Sequence, residues 1–127
     1  MSNARDIANA GYRLAAFVRF NGAFDASSNS NQFILGAGIH SAFNVSYVVD
    51  QTTGQYRIYF ATPFENDQYS AVISHIPDVI VTGTPYATSR FSFLKAYNAE
   101  WLEVASGYQD SANNGYLDYD ISVAIFN

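Results

Sequence analysis

The side chains able to do chemistry in this sequence are few and widely spaced. It holds two histidines, His40 and His75, and no cysteine. Neither histidine has a second His or Cys at metal-ligand spacing, so a zinc centre has no ligand set. The lack of cysteine also excludes disulfides and a thiolate nucleophile. Ser41 follows His40, but no Gly-x-Ser-x-Gly elbow surrounds it. Asp118 and Asp120 flank Tyr119 and fall on one face of an alternating segment. Paired carboxylates can hydrolyse a glycoside or hold Ca²⁺; the plainer reading is two solvated charges on a polar strand face. Asp110, Asn113 and Asn114 precede Gly115 in an oxygen-rich loop that could hold a cation, and the same residue types build ordinary turns. Asn44-Val-Ser46 fits a glycosylation sequon but sits inside a predicted strand. No Gly-rich phosphate loop occurs. The expectation is a protein that is not an enzyme and carries no metal or cofactor.

The larger chemical resource is aromatic. Rings make up 17% of the residues and charged groups only 13%, against about 25% charged in an average domain. Such a surface suits close contact with protein or with sugar. Tyr47, Tyr56 and Phe60 share strand faces with aliphatic residues and read as core. Phe17, Tyr59, Tyr97, Trp101, Tyr119 and Phe126 are candidates for subunit interface or glycan contact, because rings anchor interfaces and stack on sugars. The net charge is -5. The basic residues Arg5, Arg13, Arg19, Arg57, Arg90 and Lys95 stand singly, so no basic patch exists to neutralise phosphates and nucleic acid is not an expected partner. No apolar run approaches the roughly 20 residues that span a bilayer, and the first residues lack a signal-peptide core. Membrane insertion is not expected, and synthesis in a cytoplasm is.

The elements that must position these groups are mostly strands. Residues 3–10 predict a short helix with Asn3 as N-cap, Asp6 in a capping-box-like position and Gly11 as the stop. About two turns of helix are marginal alone, so residues 1–11 read as an anchor segment, with Asn3, Arg5, Asp6 and Ile7 as its contact candidates. Residues 12–127 read as one domain. After Gly11 the hydrophobic period changes to two. Leu14, Ala16, Val18 and Phe20 share one face of a strand over 13–21. A polar loop follows at 25–32, then a short strand at 33–35. Phe43, Val45, Tyr47 and Val49 alternate with Asn44, Ser46, Val48 and Asp50, and Tyr56, Ile58 and Phe60 return after a turn with Gly54 at a left-handed position. This is a β-hairpin. Further strands are predicted at 68–76, 91–97, 100–106 and 116–126. Short strands at this spacing predict an all-β, antiparallel sandwich of about seven to eight strands. Phe17, Val48, Tyr59 and Phe126 put apolar surface on second strand faces. A single sandwich core does not cover those, so a subunit interface is expected.

Three stretches carry a resemblance: Ala16-Phe-Val-Arg-Phe-Asn-Gly22; Ser41-Ala-Phe-Asn-Val-Ser-Tyr47 through Gly54-Gln-Tyr-Arg-Ile-Tyr-Phe60 to Asp67-Gln-Tyr-Ser-Ala-Val72; and Ile121-Ser-Val-Ala-Ile-Phe126. Over 13–76 and 117–127 the chain resembles the small, jelly-roll-like β-sandwich module of tail fibre, appendage and virion surface proteins of marine and cyanobacterial tailed phages. Asn3-Ala-Arg-Asp-Ile-Ala8 is similar to the opening of such fibre proteins. The resemblance implies a structural role on the virion, homotrimeric assembly, contacts with other capsid or tail proteins, and no catalytic residues to carry over. Family modules usually sit in much longer chains with a shaft, whereas here the module stands nearly alone. That leaves a tail fibre or appendage head and a capsid decoration (cement) protein both open. A carbohydrate-binding module that recognises host surface glycan is the alternative.

Overall fold

The structure, a computed structural model, describes residues 13–76, 89–109 and 114–127. Among the described residues ten strands follow in chain order: β1 (Leu14–Asn21), β2 (Gln32–Leu35), β3 (Gly38–Phe43), β4 (Val45–Thr52), β5 (Gln55–Phe60), β6 (Ser70–Ile76), β7 (Ser89–Tyr97), β8 (Trp101–Gln109), β9 (Asn114–Tyr116) and β10 (Asp120–Phe126). They form one continuous sheet in the order β6-β10-β1-β3-β2-β4-β5-β8-β7, with β9 paired to β8. Every pairing among the described strands is antiparallel except the short β2–β3 contact, where Ile34 faces Gly38 and Leu35 faces Ile39. The predicted helix, the contact candidates Asn3, Arg5, Asp6 and Ile7, and the cation-loop residues Asp110 and Asn113 lie outside the described residues.

The all-β class holds, but the two-layer antiparallel sandwich is corrected to a curled, mixed sheet resembling half a barrel. The reason lies in β2. It pairs β3 on one side and β4 on the other, so no gap divides two sheets. Gly36 and Gly38, at φ 84° and 98°, allow the tight loop between the parallel β2 and β3, a conformation that a Cβ disfavours. The sheet then curls until its ends approach: Nδ1 of His75 on β6 lies 2.9 Å from the Ser92 hydroxyl on β7.

The concave side is the core. It takes Ala16, Val18 and Phe20 from β1, Val48 from β4, Tyr56, Ile58 and Phe60 from β5, Leu102 and Val104 from β8, and Ile121, Val123 and Ile125 from β10. Period-two alternation in β1, β5 and β10 therefore translates directly into an inner and an outer face. Phe20, Phe33 and Tyr56 meet at its centre with ring centroids 5.0 to 6.0 Å apart, in tilted or edge-on geometries that aromatic quadrupoles favour.

Two predicted strands are broken where the phase changes. Asn44 has φ 54° and ends β3, so Phe43 belongs to β3 and not to the hairpin. Its side-chain amide donates to the carbonyls of Ala15 and Thr62 while its oxygen accepts from the Thr62 amide at 2.7 Å. A register irregularity between Val45 and Tyr47 then turns Val48 inward and Tyr47 outward, the reverse of the uniform alternation. The terminal strand is likewise two pieces, β9 and β10, with Leu117–Tyr119 as an irregular link.

Candidate functional site

The convex side carries two surfaces of different chemistry. On the β3-β1-β10-β6 half, facing residues place Phe43, Phe17, Ala124 and Val72 in one row. The neighbouring row is Leu14, Phe126 and Ser70, and Ile76 lies on the same face of β6. Leu14, Phe43, Val72 and Ile76 are 50%, 54%, 59% and 57% exposed. Phe17 and Phe126 are half-buried between them. An apolar strip across four adjacent strands is more than the scattered apolar residues of an ordinary surface. A polar row borders it: Arg19, Ser41, Ser122 and Ser74. There Asp120 takes Arg19 on one oxygen and His40 Nε2 on the other, each at 3.3 Å. His40 thus serves a carboxylate.

On the other half, Tyr47, Tyr59 and Trp101 face one another across β4, β5 and β8, and Arg57 faces Glu103 in the next row. Tyr47 and Tyr59 stack with centroids 4.8 Å apart. The Arg57 guanidinium lies 4.0 Å over the Trp101 ring and donates to the Tyr59 hydroxyl at 3.3 Å. It also forks onto Glu103 Oε1, at 2.8 Å from Nε and more closely from Nη2, where Gln51 adds a third donor at 3.3 Å. Burial pushes the Glu103 carboxyl up, but the Arg57 and Gln51 hydrogen bonds and the Arg57 and Lys95 charges outweigh it and hold the group below its ordinary value. The ring faces and charges here are largely spent on one another, which rigidifies the surface rather than leaving a bare stacking platform.

The sequence-predicted residues are therefore divided. Phe17 and Phe126 share the apolar face; Tyr59 and Trp101 share the aromatic one. Tyr97 is exposed at the rim, edge-on to Tyr69 at 5.9 Å. Tyr119 is not a surface residue at all, being 2% exposed within the core. Asp118 and Asp120 do not act as a pair. Asp118 sits in the link before β10 and accepts from the Gly54 amide at 2.7 Å and from the Tyr56 hydroxyl at 2.5 Å, so it fastens the β4–β5 turn. Gly54 is at φ 69°, and a Cβ there would stand 2.5 Å from the Ser106 carbonyl, so only glycine fits beside this clasp. Among the described residues no group of three or more His, Asp or Glu could hold a metal. An open depression of about 610 Å³ lies between Phe24, Leu35, Gly36 and His40.

Phe43, Val72 and Ile76 on the apolar face were missed by alternation alone. For Val72 the signal was an apolar residue at an outward position with Ser on both sides along that face, as in Ser70-Ala-Val-Ile-Ser74. No family model, no curated protein and no solved structure matches the chain.

Proposed function

We propose that the protein is a non-enzymatic structural component of the surface of a tailed-phage virion. It assembles as a homotrimer through the convex face of β3-β1-β10-β6, in a tail fibre, an appendage or a capsid decoration. The observation that carries this reading is the convex apolar row Phe43, Phe17, Ala124 and Val72, exposed at Phe43 and Val72, with exposed Leu14 and Ile76 beside it. Covering each half-exposed large side chain contributes about 1 kcal/mol, and a standard interface of about 1,600 Å² readily includes a strip of this kind. The motif resemblance supplies the virion setting and the threefold assembly. The polar row of Arg19, Ser41, Ser122 and Ser74 suits an interface rim. The glycan alternative has less support, because Tyr47, Tyr59 and Trp101 engage one another and Arg57. Mass spectrometry and a cryo-EM map of purified particles whose genome encodes the chain test the proposal. The chain is expected on the particle surface in threefold clusters; its absence from purified particles refutes the virion role.

A further inference from the structure

The strands that end the sheet, β6 and β7, approach one another without a backbone ladder, and hydrogen-bond donors gather on the concave side of that seam. His75 lies on the inner face of β6, opposite the core residue Ile121. Arg90 and Ser92 lie on the inner face of β7, in phase with Leu94, which faces the core residue Val104. The Tyr119 ring stacks on His75 with centroids 5.4 Å apart, and the Arg90 guanidinium carbon is 5.9 Å from its centre.

Two of these groups lack what they need. The Tyr119 hydroxyl is fully buried and has no hydrogen-bond partner, a state that costs about 1–3 kcal/mol unless something occupies the site. The Arg90 side chain meets the Tyr119 ring but no carboxylate among the described residues. The nearby acids among the described residues point elsewhere: Asp120 serves Arg19 and His40 on the convex side, and Asp118 serves Gly54 and Tyr56. Among the described residues the seam therefore holds a guanidinium, two hydroxyls and an imidazole, with no anion to receive them.

We propose that this seam is a binding site for a carboxylate group. The planar guanidinium of Arg90 matches the two oxygens of a carboxylate, and the Tyr119 and Ser92 hydroxyls donate to them. Ser92 is oriented by its 2.9 Å contact with His75 Nδ1. Burial and the Arg90 charge hold His75 below its ordinary value, so the unliganded site keeps a neutral imidazole, and a bound anion would ease its protonation.

The test is an NMR titration of the full chain with sodium acetate and with sodium glucuronate, against sodium phosphate and sodium chloride at equal ionic strength, following the His75 ring protons. Saturable shifts with acetate or glucuronate, weakened about tenfold or more by Arg90→Gln and several-fold by Tyr119→Phe, support the site. The ratio of acetate to glucuronate affinity separates a bare carboxylate from one carried on a sugar. Tyr119→Phe removes only the partnerless hydroxyl and should fold at least as stably as the parent, so it decides the matter if Arg90→Gln fails to fold. No response, a response to phosphate alone, or shifts unchanged in both variants overturn the proposal.

Discussion

Removing the Tyr56 hydroxyl is the sharpest probe of how the hairpin turn is joined to the rest of the sheet. The Tyr56 ring packs edge-on against Phe20 at 5.0 Å, and Tyr56→Phe leaves that contact intact. What is lost is the hydroxyl donating to Asp118 at 2.5 Å. A hydrogen bond to a charged acceptor contributes about 1.5–3 kcal/mol. Because Asp118 is only half-buried, water can partly replace the donor, so the expected cost is about 1.5 kcal/mol. Asp118→Ala removes the acceptor of both the Tyr56 hydroxyl and the Gly54 amide, each at a buried residue, so about 3 kcal/mol is expected. In the double variant no hydroxyl is stranded, and the combined cost should fall short of the sum by about 1.5 kcal/mol. Urea unfolding at one fixed protein concentration measures all three, which keeps any assembly equilibrium constant. Additivity within about 0.5 kcal/mol would show that the two side chains are not coupled and would falsify the clasp. Burial, and then the same contact, push the Tyr56 phenol well above its ordinary value, so Tyr56 should stay un-ionised in an alkaline spectrophotometric titration of the folded protein.

Other consequences are equally concrete. Arg57→Met should destabilise by about 3 kcal/mol, because it strands the Glu103 carboxylate, only 10% exposed, without its guanidinium; a change under about 1 kcal/mol in urea unfolding would mean that Gln51 and water suffice. His75 is held low by burial and then by Arg90, so the folded state binds fewer protons at this site than the unfolded chain. Its contribution to stability is complete above the unfolded value of about 6.5 and is lost as pH falls below it. The urea midpoint should drop between pH 7.5 and 5, and His75→Gln should flatten that slope; an equal slope in parent and variant would remove His75 as the cause. Phe43→Ser and Val72→Ser should leave the unfolding of the isolated subunit within about 0.5 kcal/mol yet dissociate the assembly, as read by native mass spectrometry. Loss of fold instead of assembly would place these side chains in the core.

Much of this architecture was legible in the sequence where local period and local chemistry agree. Ala16, Val18 and Phe20, then Tyr56, Ile58 and Phe60, then Ile121, Val123 and Ile125 alternate, and all are buried. Gly54 announced its turn. What escaped were features without a period. Asn44 at positive φ shifts the phase between β3 and β4, and no alternation count registers a residue that leaves the strand. The parallel β2–β3 contact spans two residue pairs, too few to leave a pattern, yet it converts the expected sandwich into a continuous curl. The links Tyr56–Asp118 and Arg57–Glu103 join residues 62 and 46 positions apart, so only the folded chain reveals that Asp118 is a clasp rather than half of a carboxylate pair. The apolar convex face was anticipated through Phe17 and Phe126, but its exposed members Phe43, Val72 and Ile76 emerge only from strand order.

Everything proposed for the role on a particle depends on that convex face being covered by copies of the same chain. Sedimentation equilibrium of the full chain at micromolar concentration tests this most directly. A single species of three times the 14.0 kDa chain mass, shifting to one chain mass in Phe43→Ser, is the predicted result. A parent protein that stays at one chain mass across the whole concentration range would contradict it.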